Sequence, residues 1–216
     1  MNNDIKNAMV IKELEKLFPE PKCELDFSNA FELLIAVILS AQCTDKRVNM
    51  VTPVLFEKFG NPKLMSDASQ KELEQIIHSC GFYVNKAKNI IACSKKICED
   101  FGGEVPNTLE DLCSLDGVGR KTANVVLSIA FNIPAIAVDT HVFRVTARLG
   151  IAKGKDAFET EQILRNEFKK EDWVKLHFSL VLFGRRICDA KKPKCNICPL
   201  YDICEYVNKG EKNVCR

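Results

Sequence analysis

Lys121 and Asp139, together with four cysteines near the C-terminal end, are the residues whose types and surroundings could do chemistry. Lys121 stands in the run Leu115-Asp116-Gly117-Val118-Gly119-Arg120-Lys121-Thr122-Ala123-Asn124, a glycine-framed turn followed by two cations that open a helix. Gly117 and Gly119 let the backbone turn tightly and leave no side chain between its N–H groups and a ligand. The helix start adds unpaired N–H groups and a partial positive charge, so the turn with Arg120 reads as a seat for phosphate. The spacing is neither that of a Walker loop nor that of a dinucleotide fingerprint, and the phosphate backbone of a nucleic acid fits better than a nucleotide. Positive potential at the helix start disfavours a further cation and leaves Lys121 a nucleophilic amine. A solvated lysine that grips phosphate as a point charge is the plainer alternative.

Asp139 follows Asn132-Ile133-Pro134, which breaks the helix, and the apolar Ala135-Ile136-Ala137-Val138. Proline cannot continue a helix, and an extended return over these residues brings Asp139 back to the neighbourhood of Lys121. Aspartate is equally suited to cap the next helix, Thr140 to Leu149, and both roles can hold together.

Cys188, Cys195, Cys198 and Cys204 lie close enough in the chain to close one thiolate site, and chemistry alone leaves Zn²⁺ and an iron–sulfur cluster both open. The spacing matches neither ferredoxin pattern nor the paired Cys-x2-Cys of a zinc ribbon. Between the first two cysteines, Lys191, Lys192 and Lys194 sit on a short loop anchored at both ends, which suits contact with phosphates; a solvated basic turn is the alternative. The other cysteines, at 23, 43, 80, 93, 98, 113 and 215, read as small buried hydrophobes. The N-terminus has no apolar core of a signal peptide, so the expected setting is the reducing cytosol, where disulfides are not expected.

The elements that must position these groups are helices. The 216 residues are 46% hydrophobic and 28% charged, ordinary for a globular protein, and a net charge of +2 does not by itself announce a nucleic-acid partner. The longest apolar run, Leu33 to Cys43, is too short for a bilayer and reads as a buried helix. Helical periodicity recurs along the chain and the alternation of a strand is nowhere convincing, which predicts an all-α fold. Helices are expected at 4–18, 30–41, 46–59, 69–79, 83–101, 108–114, 120–131, 140–150, 156–169 and 171–187, the first with Ile5, Met9, Leu14 and Phe18 on one stripe. Ser28-Asn29 and Thr44-Asp45 offer caps. Trp173 reads as core, His141 as a first-turn polar residue that could reach Asp139's surroundings, and His78 and His177 carry no assigned role.

Taken together, Leu115-x-Gly-Val-Gly-Arg-Lys-Thr-Ala-Asn-Val-Val, Val-Asp-Thr-His-Val-Phe-Arg-Val at 138–145 and the Cys188-x6-Cys195-x2-Cys198-x5-Cys204 pattern resemble the endonuclease III family. Those are helix-hairpin-helix DNA glycosylases with AP lyase activity. The resemblance implies two helical lobes flanking a substrate cleft, one of residues 24–134 carrying the hairpin. The other is discontinuous, 1–23 plus 135–216, and holds a [4Fe–4S] cluster on Cys188, Cys195, Cys198 and Cys204. It also implies that Lys121 attacks the sugar with Asp139 as its acid–base partner, and that an oxidised pyrimidine is removed before β-elimination cuts the strand 3′ to the abasic site. Gln42 matches the residue that enters the gap left by a flipped nucleotide, and Phe82 the wedge into the opposite strand, where an aliphatic residue is the usual choice. Packing at helix junctions is the alternative for both. The expected partner is double-stranded DNA with damaged bases or abasic sites, bound by a monomer in the cytoplasm with the nucleoid. Asp116 departs from the proline usual in the hairpin and sets a carboxylate beside the phosphate seat. Two rival readings are a monofunctional mismatch glycosylase, whose adenine-excising relatives lack a lysine at this place, and a non-catalytic DNA-binding iron–sulfur protein, which would need no acid at Asp139.

Overall fold

Several helices of this protein begin where a side-chain oxygen waits for the first free amides. Asn29 accepts from the Glu32 N–H at 2.9 Å, Thr44 from Arg47 at 3.3 Å, and Thr108 from Asp111 at 3.1 Å. Asp156 accepts from Glu159 at 2.8 Å in the same way, and each such bond satisfies one of the amides that a helix start leaves without a partner. The computed structural model describes residues 3–208, and among them no strand occurs. The helices are α1 (Asn3–Leu17), α2 (Ala30–Ser40), α3 (Asp45–Phe59), α4 (Pro62–Ser66), α5 (Gln70–Ile77), α6 (Tyr83–Asp100), α7 (Leu109–Cys113), α8 (Arg120–Ala130), α9 (Thr140–Leu149), α10 (Ala157–Glu167), α11 (Trp173–Arg186) and α12 (Glu205–Asn208). The chain divides into two compact units, Glu24–Ile133, and Met1–Cys23 with Pro134–Arg216.

In the unit Glu24–Ile133, α2 is the buried axis: Leu33, Leu34, Ile35, Ala36 and Leu39 are fully buried, and α3, α6 and α8 pack around it. A helix apolar on every side has to be enclosed by others. α4 was not expected from the sequence. Gly60-Asn61-Pro62 ends α3 as predicted, but Asn61 also caps the next turn, accepting from the Leu64 N–H at 2.9 Å, and Pro62 takes the first helical position, where its missing N–H costs nothing.

In the second unit, α1 packs on α11, and α9 on α11 and α12. Val10, Leu14, Val142, Val145, Leu149, Leu180 and Phe183 form the centre of its core. The stripe expected on α1 is displaced. Ile5 and Met9 are 57% and 42% exposed, whereas Lys6 and Asn7 are buried. Lys6 reaches the Glu205 carboxylate at 3.2 Å and Asn7 that of Glu167 at 3.0 Å, so partners from distant parts of the chain repay the burial of polar groups. Trp173 is buried as expected, its indole N–H donating to the Phe168 carbonyl at 2.9 Å.

Candidate active site

The glycine run forms a hairpin between α7 and α8. The Val118 N–H donates to the Leu115 carbonyl at 3.1 Å, and Gly117 adopts φ of 76°, the requirement at the third residue of a type II turn. A Cβ at Gly117 would stand 3.0 Å from the Asn89 Cβ, so both space and backbone call for glycine there. Val118 points into the core, and the turn lies on the surface. Gly119 is the N-cap of α8 and supplies no side-chain hydrogen bond to its first turn. The opening amides of α8 are therefore not capped by their own N-cap residue, and exposed Lys121 stands beside them with Arg120. Asp116 occupies the second position of the turn, where proline is favoured; its carboxylate is exposed and near enough to Cys93 to add to the burial that pushes that thiol up to about 12.

Gln42 and Phe82 come together in the same unit. Both are exposed, Phe82 by 65%, and both adopt left-handed backbone, with φ of 52° and 53°. For bulky residues that conformation is strained, and strain of this kind collects at functional positions. A Cβ at the intervening Gly81 would lie 3.9 Å from the Gln42 carbonyl oxygen, which places the two loops side by side.

Asp139 belongs to the other unit. It caps α9, its Oδ1 accepting from the Val142 N–H at 2.8 Å, and it is half-buried at the end of the non-helical, buried segment Ala135–Val138. Two residues on, burial pushes the His141 imidazole below its usual value; Asp139 pulls the other way, and the Arg144 and Arg185 guanidiniums add to the lowering. Neutral His141 can then accept from Arg144, whose Nη2 is 3.2 Å from its Nδ1.

Cys188, Cys195, Cys198 and Cys204 line one pocket, partly open to solvent and walled also by Leu149, Phe183, Ile187 and Tyr206. Among the described residues no three His, Cys, Asp or Glu side chains converge tightly enough for a single metal ion. Four cysteines around one apolar-walled pocket are the donor set of an iron–sulfur cluster. Burial pushes the Cys198 thiol up to about 11 and raises that of Cys204, a burden that iron's positive charge would offset.

Two arginines that the sequence reading passed over organise this loop. Arg144 donates to the Cys188 and Gly184 carbonyls at 3.0 Å, and Arg148 to the Asp189 and Ala190 carbonyls at 2.7 and 2.9 Å. Arg148 also approaches the Cys188 sulfur at 3.4 Å and stacks on the Tyr206 ring. Their spacing, four apart on one face of α9, is the signal that could have found them. Asp189 turns the loop by accepting from the Lys191 and Lys192 N–H groups at 2.9 and 3.0 Å, bonds that hold its carboxyl below the ordinary range. Lys191, Lys192 and Lys194 are exposed on it. Of the remaining cysteines, Cys80 and Cys93 are buried and Cys23, Cys43 and Cys98 half-buried, but Cys113 is exposed and not the small hydrophobe expected; Cys215 lies outside the described residues.

The profile of the HhH-GPD superfamily base excision DNA repair proteins matches residues 35–170, and that of the iron-sulfur binding domain of endonuclease III matches 188–204. Endonuclease III of Bacillus subtilis is 51% identical over 203 residues, covering 94% of this chain and 93% of the relative. That of Escherichia coli K12 is 44% identical, covering 96% and 98%. A solved structure of a trapped endonuclease III–DNA covalent intermediate superposes with a TM-score of 0.93 at 46% identity, covering 98% of this chain and all of that one. This chain belongs to the endonuclease III family, DNA glycosylases with AP lyase activity that bind a [4Fe–4S] cluster.

Proposed function

We propose that the chain removes oxidised pyrimidines from double-stranded DNA and cuts the strand at the resulting abasic site, with Lys121 as nucleophile and Asp139 as acid–base partner. The observation that carries this assignment is exposed Lys121 in the first turn of α8, beside amides that Gly119 leaves uncapped. A base within a duplex cannot be reached at its glycosidic carbon, so the nucleotide is first flipped out, which is cheapest at a damaged pair. The hairpin at Gly117, Gly119 and Arg120 holds the strand by its phosphates, while Gln42 fills the gap and Phe82 props the opposite strand. Lys191 and Lys194, with Lys192, add phosphate contacts that position without reading sequence.

The Lys121 Nζ then attacks the sugar C1′ and the base leaves with the electron pair of the glycosidic bond. Asp139 takes the proton released from the amine, and its charge stabilises the cationic sugar. Opening of the sugar ring gives a Schiff base, which acidifies the C2′ proton. Loss of that proton breaks the C3′–O bond and releases the 3′ phosphate, and water frees the lysine. The cluster, held by the four cysteines, supplies iron–thiolate bonds that tie their loop into one rigid piece.

The test is reduction with borohydride during turnover on a duplex carrying an oxidised pyrimidine. Wild type should be captured as a covalent protein–DNA adduct and Lys121→Ala should not. Strand cutting by Lys121→Ala at the wild-type rate would overturn the assignment.

A further inference from the structure

Lys86 lies in the first turns of α6 and is 6% exposed, yet the sequence gives it no partner. Its ammonium donates to two backbone carbonyls, Leu39 at 2.8 Å and Cys80 at 2.7 Å. Leu39 is in the last turn of α2, immediately before the loop that carries Gln42, and Cys80 is two residues before Phe82. One buried cation thus bridges both strained loops from beneath. The thiols of Cys43 and Cys80 are its other near neighbours; burial raises Cys80 to about 11, so that thiol supplies no counter-charge at neutral pH, and burial also lowers Lys86 itself. Among the described residues no carboxylate pairs with Lys86. Burying an ammonium is costly, and here its two bonds go to the backbone at the ends of the two loops rather than to a counter-charge.

We infer that Lys86 is a positioning residue: it straps the Gln42 and Phe82 loops together so that the two side chains enter an opened duplex as one unit. The inference rests on the assignment of Gln42 and Phe82 as the residues that enter the stack. With the strap in place, the left-handed backbone at each is fixed before DNA arrives and no ordering remains to be done on binding. Without it each loop can relax independently to an unstrained conformation. The second consequence is electrostatic. The uncompensated positive charge directly under the two loops is offset when a polyanion closes over them.

The strap acts only where a stack must be propped open, and that separates it from a plain folding role. Lys86→Met should bind a duplex containing a stable abasic analogue about tenfold or more weakly, the scale of a misplaced group. It should cut a natural abasic site, whose C1′ aldehyde the analogue lacks, about tenfold more slowly in duplex but at the wild-type rate in single-stranded DNA. The ratio of duplex to single-strand activity is independent of the fraction of enzyme that folds. Lys86→Gln, which can keep one of the two bonds, should give an intermediate ratio. Added to Gln42→Ala Phe82→Ala, Lys86→Met should cost duplex binding little more, because it acts through those side chains. Equal loss on both substrates, no loss on either, or full additivity with the double variant would overturn the strap. If the double variant binds the lesion duplex as wild type does, the assignment of Gln42 and Phe82 itself fails. If the double variant binds weakly while Lys86→Met binds normally, the strap alone fails.

Discussion

At Asp139 one carboxylate caps α9 and, in the proposed mechanism, also takes up a proton, and the two roles can be separated. The bond from the Val142 N–H needs an acceptor oxygen, which asparagine also offers, and asparagine caps about as well as aspartate. Asp139→Asn should therefore unfold at nearly the wild-type temperature while its single-turnover base removal falls by about 10²-fold or more, as expected for loss of a general base. A matched loss of melting temperature would reduce the residue to a cap. His141 offers a pH readout in the same element. Its native pKa lies below the unfolded value of about 6.5, so the folded state binds fewer protons than the unfolded one in that range. The stability it contributes is complete above that unfolded value and is lost as pH falls from there through the lowered native value. Thermal melts should show wild type losing more stability between pH 7 and pH 5 than His141→Gln, which has nothing to protonate. Parallel curves would remove the histidine from the account.

At the scale of elements, the hairpin and the cysteine loop each make a prediction. Asp116 occupies the turn position that proline prefers, so Asp116→Pro should raise stability by about 0.5 kcal/mol through the unfolded chain. It also removes a carboxylate beside the phosphate seat and should tighten DNA binding; weaker binding in a filter or anisotropy assay would refute the repulsion. The cysteine loop is shaped by Asp189 and by Arg144 and Arg148, leaving its three lysines outside. Replacing Lys191, Lys192 and Lys194 with alanine should weaken binding to all sequences alike. It should also flatten the slope of log affinity against log salt by up to about 3, one phosphate for each lysine. An unchanged slope would make the loop a solvated turn.

Across the whole molecule, what was legible in the sequence is what local chemistry decides. The cap residues Asn29 and Thr44, the turn glycine at 117 and the all-helical pattern follow from neighbours a few positions away. The family motifs pointed to Lys121, Asp139 and the four cysteines, whose roles are those proposed above. What escaped depends on partners far along the chain. Lys6 and Asn7 face inward because Glu205 and Glu167 meet them, and the same distance hides the reason for Lys86 and Arg144. Helix α4 escaped because Asn61-Pro62 serves as an ending and a beginning at once.

The pairing of α1 with the last third of the chain also has a meaning for synthesis. Residues of the unit Glu24–Ile133 are contiguous and can assemble as soon as they leave the ribosome, but Lys6 meets Glu205 across a separation of 199 residues. At ordinary translation speeds α1 waits roughly 10 to 40 seconds for its mate, with Val10 and Leu14 uncovered. Helix α1, made well before the helices it packs on, therefore docks late, and a chaperone has time to hold it.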